Sequence, residues 1–222
     1  CGSGTPPIHS KSRDYNCFCG GKAMYQLNNS LRLVDYDKWY ERAWASGLLK
    51  GVMAEYEVTP VRILRNDEDP NHVIVVLTAQ SLGAFDKLRA DPRVQELVSD
   101  RSIVAEQPQP LGRYTTTEIA ELDPEANYGF HVEHKLVDYD KWFAIFKEAD
   151  IRKQIEDELG IKAIRVLRDV DNPNNAVVIF QGPSQEAMDK LHTDPRVQDR
   201  FNDRLIFVER PKLAGRFTPV GL

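Results

Sequence analysis

The sequence predicts an α+β fold in which two tandem βαββαβ repeats close one barrel within a single chain. A long segment recurs at a constant offset of 103 residues, and both copies show the same order of strand and helix signals. One such unit alone leaves one face of its sheet uncovered, and a second sheet would bury it. The 222 residues, 41% of them apolar, are enough to build the core that this barrel requires.

The repeat is clearest in two segments. Leu33–Trp39 (LVDYDKW) recurs unchanged as Leu136–Trp142, and Asp91–Gln95 (DPRVQ) recurs as Asp194–Gln198. Because the offset never changes, no insertion separates the copies. The sequence therefore divides into a flexible tether at 1–22, a first repeat at 23–115, a connector at 116–125 and a second repeat at 126–218.

Each repeat begins with a strand signal, over Met24–Leu33 in the first copy and Tyr128–Leu136 in the second. Asp35 and Asp138 follow, and Asp is a residue type that caps helix N-termini. Each is followed by an acidic first turn, which suits the helix dipole. The sequence therefore predicts that a helix begins at each of these two Asp residues.

The first helix of the second repeat has an apolar stripe at i, i+3, i+4 and i+7, formed by Trp142, Ile145, Phe146 and Ala149. Gly160 is a typical helix stop. The remaining elements are predicted in the following order: a strand at Ile161–Arg168, a turn at Asp169–Asn175, a buried strand at Ala176–Phe180, a helix from Ser184 that restarts at Asp194-Pro195, and a last strand at Leu205–Val208.

The order βαββαβ is that of the ferredoxin-like split βαβ arrangement, in which both helices cover the same face of the sheet. The second copy supplies the sheet that buries the other face. We therefore expect one intramolecular, pseudo-dimeric α+β barrel, whose fold requires no partner chain.

Charge and hydropathy exclude two classes of protein. The net charge of −5 argues against a nucleic-acid-binding protein, which would carry a basic face. The longest aliphatic run, Val73–Leu77, is too short for a transmembrane helix.

The segment Cys1-Gly2-Ser3-Gly4 resembles the start of a mature bacterial lipoprotein, in which the Cys sulfur carries a diacylglycerol. The alternative is an engineered Gly-Ser-Gly linker. If Cys1 is lipidated, Cys17 and Cys19 form an even pair, either bonded or free, in an oxidising compartment. This interpretation predicts a protein anchored to a membrane of the bacterial cell envelope, periplasmic or outer-membrane-associated.

The segment Val132–Trp142, together with the later Asp-x-Asp-x-Pro-Asn turn at Asp169–Asn174, resembles the dimeric α+β barrel superfamily near its antibiotic-biosynthesis-monooxygenase-like members. The resemblance extends over both repeats. It implies the ferredoxin-like barrel fold, and it implies a group that includes cofactor-free monooxygenases, isomerases and haem enzymes. Fold alone does not decide among these activities.

Polar residues of the predicted strands are the candidates for a pocket. His131 and Glu133 lie at i and i+2 of one strand and therefore point the same way, as a general base and its orienting carboxylate would. Arg62 and Arg165 occupy equivalent positions and are suited to bind a carboxylate or an enolate. The candidate pocket residues are Asn28, Arg62, His131, Glu133, His134 and Arg165.

Structural alternatives remain for these residues. A His beside a Glu on a strand is more often a surface pair than a catalytic one, and the two Arg residues could form salt bridges with the acidic hairpin, with Glu106 or with Glu209. His131 aligns with Asn28, and His134 aligns with Leu31, so the copies differ at these polar positions. We therefore expect at most one of two pockets to keep any ancestral chemistry.

Two functions follow as hypotheses. The first is a lipid-anchored envelope protein that uses the barrel as a scaffold or as a small-ligand-binding accessory subunit, with a membrane-protein complex as partner. The second is a cofactor-free monooxygenase or isomerase that acts on an aromatic or polyketide-like substrate. Neither hypothesis includes a metal or another cofactor.

Overall fold

The computed structural model describes residues 24–121, 123 and 128–220. Cys1, Cys17, Cys19 and the predicted tether at 1–22 lie outside the described residues. Within the described ranges, no helix is both long and apolar enough to cross a membrane.

The two repeats contain matching elements. In the first repeat these are β1 (Tyr25–Arg32), α1 (Tyr36–Tyr40, continued by a π turn at Glu41–Ala45), α2 (Leu48–Glu55), β2 (Thr59–Asn66), β3 (His72–Ala79), α3 (Leu82–Ala90), α4 (Pro92–Ser99) and β4 (Gln109–Glu118). In the second they are β5 (Tyr128–Lys135), α5 (Tyr139–Glu148), α6 (Asp150–Leu159), β6 (Lys162–Asp169), β7 (Asn175–Gly182), α7 (Gln185–Thr193), α8 (Pro195–Phe201) and β8 (Lys212–Val220).

The eight strands form a closed barrel in the order β1-β3-β2-β8-β5-β7-β6-β4, which confirms the predicted α+β barrel of two βαββαβ units. Two ladders join the repeats. β4 of the first repeat pairs with β6 of the second, and β8 of the second pairs with β2 of the first. Both ladders are antiparallel. Each repeat therefore completes the sheet of the other, and neither sheet keeps a free edge.

Successive side chains of each strand point alternately toward the helices and into the barrel. On β3, Val73, Val75 and Leu77 join the core that includes Trp39 and the α2 and α3 residues. Ile74 and Val76 belong instead to a small separate cluster with Leu64. Most of the buried apolar volume therefore lies between sheet and helices, and the barrel interior contains smaller apolar clusters.

The repeated LVDYDKW and Pro-Asn segments act together in the fold. Asp138 caps α5 by accepting a hydrogen bond from the backbone N–H of Lys141 (3.1 Å). The Asn174 side chain accepts from the N–H of Tyr139 (3.1 Å) and donates to the carbonyl of Val137 (3.4 Å). Asp35 and Asn71 make the equivalent bonds in the first repeat. These segments therefore fix the joint between strand, hairpin and helix.

The repeated DPRVQ segment also has a structural role. Asp91 caps α4 through the N–H of Arg93 (2.8 Å). The Arg93 guanidinium donates to Asp91 and forms a two-bond pair with Glu55 on α2 (2.8 and 2.7 Å). Asp194, Arg196 and Glu158 repeat the network in the second copy.

Gly160 ends α6 with a φ of +66°, which confirms the predicted helix stop. The predicted last strand at Leu205–Val208 is wrong. This apolar run forms a turn in which Leu205 and Val208 are exposed, and only Phe207 makes an isolated bridge to Leu136. Asp203 nucleates the turn by accepting from the N–H of Leu205 (2.9 Å), and the strand forms later, at Lys212–Val220.

Candidate functional site

Two cavities lie at equivalent places in the repeats, each between the sheet and the helices. The cavity of the first repeat has a volume of about 580 Å³, and that of the second about 370 Å³. Each mouth also includes residues of the other repeat, with Asp67 at the second cavity and Asp171 at the first. The strand pairing between the repeats thus brings the hairpin of one repeat to the cavity of the other.

The second-repeat cavity is lined mainly by aromatic and aliphatic side chains. The rings of Trp142 and Phe146 stack at 5.1 Å with an interplanar angle of 23°. Those of Phe130 and Phe180 stack at 4.9 Å with an angle of 13°. Such flat apolar walls with a few polar groups are typical of small-molecule sites, and they suit a planar ligand.

His134 is the titratable side chain in the floor of this cavity, and it is only 5% exposed. Its Nδ1–H donates to the carbonyl of Val132 (2.9 Å), which fixes the tautomer because a carbonyl only accepts. Nε2 therefore has the free lone pair, and no described residue forms a hydrogen bond with it. The ring also lies against Trp142 (centroids 5.3 Å apart) and Phe207 (5.7 Å).

This apolar surrounding controls the charge of His134. Burial lowers the pKa of the imidazole to about 4, and the hydrogen bond to the Val132 carbonyl only partly opposes this effect. His134 is therefore neutral at physiological pH and can accept a proton or a hydrogen bond at Nε2.

The other predicted site residues lie on the opposite, barrel-facing side of the sheet. Asn28 accepts a hydrogen bond from Gln26 (2.8 Å), and Gln26 in turn accepts one from Arg165 (3.3 Å). Arg165 also forms an ion pair with Glu118 (2.6 Å), so its partner is neither the hairpin nor Glu106 or Glu209.

His131 lies on the barrel-facing side as well. Burial, and secondly the positive charge of Arg62, lower its pKa to about 4. No hydrogen bond joins His131 to Glu133 in the described part of the chain, and neither of them lines either cavity. The structure thus places Asn28 and Arg165 in one hydrogen-bonded chain, and it places His134 apart from the rest.

Sequence reasoning did not identify Arg152, which lines the second-repeat cavity from the start of α6. Aligning the copies would have marked it, because its counterpart is Leu49, just as the counterpart of His134 is Leu31. Among the described residues, no cluster of three or more His, Cys, Asp or Glu side chains could hold a metal ion.

The comparisons with known proteins identify the fold. No protein-family model and no curated protein matches the chain. Among solved structures, an anthrone oxidase-like protein matches with a TM-score of 0.57 at 12% identity, covering 90% of this chain and 92% of the other. A candidate chlorite dismutase matches with a TM-score of 0.52 at 17% identity, covering 90% and 96%.

A candidate monooxygenase from Lactobacillus acidophilus matches with a TM-score of 0.50 at 15% identity, covering 89% of this chain and 93% of the other. Another from Fusobacterium nucleatum matches with a TM-score of 0.52 at 11% identity, covering 90% and 93%. At these identities the likeness is one of fold, and it confirms the predicted α+β barrel of two ferredoxin-like repeats.

Proposed function

We propose that this chain is a cofactor-free monooxygenase or isomerase that binds a flat aromatic substrate in the second-repeat cavity and removes a proton from it with His134. The observation that carries the proposal is the free Nε2 of a buried, tautomer-fixed histidine in an aromatic-lined cavity. The fold shared with monooxygenase-like structures supports it as an analogy.

The low pKa of His134 defines the substrate that the base can serve. A neutral imidazole accepts a proton readily only if the imidazolium is stabilised, and burial among aromatic rings disfavours that charge. The substrate anion formed by the same step supplies the counter-charge at close range in a site of low dielectric. An acidic C–H or O–H, as in an activated methylene or a phenol, meets this requirement.

The fate of the carbanion distinguishes the two reactions. Reprotonation at another carbon would give an isomerase. Reaction with O₂ would give an oxygenase, in which a substrate methylene and O₂ yield a carbonyl and water. The apolar walls exclude bulk water from the carbanion in either case.

Oxygen uptake with anthrone as the probe substrate tests the proposal. His134→Leu installs the residue that the first repeat has at Leu31, and we expect it to lower the rate of anthraquinone formation at least about 100-fold. The matched control is His131→Asn, which installs the counterpart Asn28 on the barrel-facing side and should keep the rate within a factor of about two. Equal rates for wild type and His134→Leu would refute His134 as the base, and so would a loss confined to His131→Asn.

The other hypothesis, a ligand-binding accessory protein of the envelope, is favoured by the first-repeat cavity, where Leu31 occupies the position that His134 has in the second. Binding of aromatic probes in both cavities without oxygen uptake or isomerisation would support this role instead. The lipid on Cys1, the membrane location and a partner complex stay predictions from the sequence.

A further inference from the structure

The two cavities differ in a consistent direction when they are compared position by position. Leu31, Leu49 and Leu97 line the first-repeat cavity, and the residues at the same positions in the second-repeat cavity are His134, Arg152 and Arg200. Three leucines thus correspond to one imidazole and two guanidinium groups. Both cavities have apolar walls, but those of the second are richer in aromatic rings, with Phe130 and Phe180 where the first repeat has Leu27 and Leu77. The second cavity therefore combines an aromatic body with basic groups.

Arg152 is the more buried of the two arginines, because it is half-buried whereas Arg200 is exposed. Its Nε is buried and has no hydrogen-bond partner in the described part of the chain. One terminal nitrogen donates to the carbonyl of Lys147 (3.1 Å), and the guanidinium lies 5.8 Å from the ring centroid of Phe146. Arg152 therefore lies beside the aromatic wall with part of its donor capacity unused.

Three other arginines of the second repeat have acidic partners, whereas Arg204 donates to the carbonyl of Val208. Arg165 pairs with Glu118, Arg168 with Asp140, and Arg196 with both Glu158 and Asp194. Among the described residues, neither Arg152 nor Arg200 forms a salt bridge. An unpaired guanidinium against apolar walls is unfavourable until an anion pairs with it.

Two carboxylates also reach the cavity, and both lie at its rim. Asp67 and Asp189 are exposed. Asp67 accepts a hydrogen bond from Thr218 (2.7 Å), and Asp189 accepts one from Gln185 (2.9 Å). Their charges are therefore solvated and hydrogen-bonded, whereas the Nε of Arg152 is neither.

We infer that the second-repeat cavity takes an aromatic carboxylate, whose ring lies against the stacked walls of Trp142 and Phe146 and whose carboxylate pairs with Arg152. A planar carboxylate matches the fork of the guanidinium, which presents parallel N–H donors. The stacked rings favour a flat body over an aliphatic chain. The inference names the substrate class of the proposed enzyme, and so it rests on the proposed function for its biological meaning.

Calorimetric titration of the full chain with 2-naphthoic acid and with its neutral analogue 2-naphthamide tests the inference. We expect the acid to bind about tenfold or more tightly, as a charge-assisted hydrogen-bonded pair requires. Arg152→Leu installs the counterpart of Leu49 and should abolish the preference while leaving amide binding unchanged. The matched control is Arg89→Leu, which makes the same chemical change in the first-repeat cavity and should keep the preference.

Equal affinity for acid and amide, no binding of the acid, or a preference that persists in Arg152→Leu would each overturn the inference. Lauric acid serves as an aliphatic carboxylate for comparison. If it binds more tightly than 2-naphthoic acid, the cavity does not prefer an aromatic ligand. His134→Leu separates this inference from the proposed reaction. It should keep the acid preference and lose turnover, whereas acid preference without any turnover in wild type would refute the reaction and leave the inference standing.

Discussion

Lowering the pH from 7 to 4 should destabilise the fold through His134, and His134→Leu should remove that part of the acid sensitivity. Burial lowers the pKa of the folded-state imidazole from 6.5 to about 4, so the unfolded chain binds the proton more readily. The stabilising effect of the neutral form is fully present above pH 6.5, the unfolded-state pKa, and is lost as the pH falls from there to about 4. Linkage over this shift gives about 3 kcal/mol at pH 4.

Denaturant unfolding of wild type and His134→Leu at several pH values between 4 and 7 measures this difference. The free energy of unfolding of wild type should fall relative to the variant by about 3 kcal/mol across the window. Other titrating groups are common to both proteins, so the difference isolates His134. Parallel pH profiles for the two proteins would show that His134 is not held neutral by burial and would refute the electrostatic argument for the site.

Three further predictions concern the fold, the cofactor and the anchor. Asn174→Ala should lower the free energy of unfolding by roughly 1–3 kcal/mol, because the N–H of Tyr139 and the carbonyl of Val137 lose their hydrogen-bond partner. Asn71→Ala removes the equivalent bonds of the first repeat and should lower it by a similar amount. Thermal melts measure both effects, and an unchanged melting temperature in either variant would contradict this role. Protein that shows no Soret band, and therefore carries no haem, should keep its rate of anthrone turnover after treatment with EDTA. A loss of rate that added metal or haem reverses would contradict cofactor-free chemistry. Intact mass spectrometry of the native protein should show lipid mass on Cys1, and an unmodified Cys1 would refute the anchor.

The fold was predictable because its determinants are local and duplicated. Asp138 caps its helix, Gly160 ends the next one, and the constant offset implies two halves with the same order of elements. The pairing of β4 with β6 and of β8 with β2 was not predicted, since these partners lie far apart in the sequence. The last strand was misplaced because the exposed Leu205 and Val208 look like a strand by hydropathy alone.

The site was only partly predictable. Alternation along β5 correctly separates the face of His131 from that of His134. It does not reveal which face borders a cavity, because that depends on how α5–α8 pack over the sheet. Arg152 gives no local signal at all, as it is an ordinary basic residue on a polar helix. Only its place in the cavity and its counterpart Leu49 distinguish it.

A crystal structure of the chain with anthrone bound tests the central claim most directly, namely that the reactive site is the second-repeat cavity. We expect the anthrone rings to lie between sheet and helices of the second repeat, with the oxygen or the methylene carbon within about 3 Å of His134 Nε2. Anthrone bound inside the barrel beside His131, or only in the first-repeat cavity against Leu31, would contradict it.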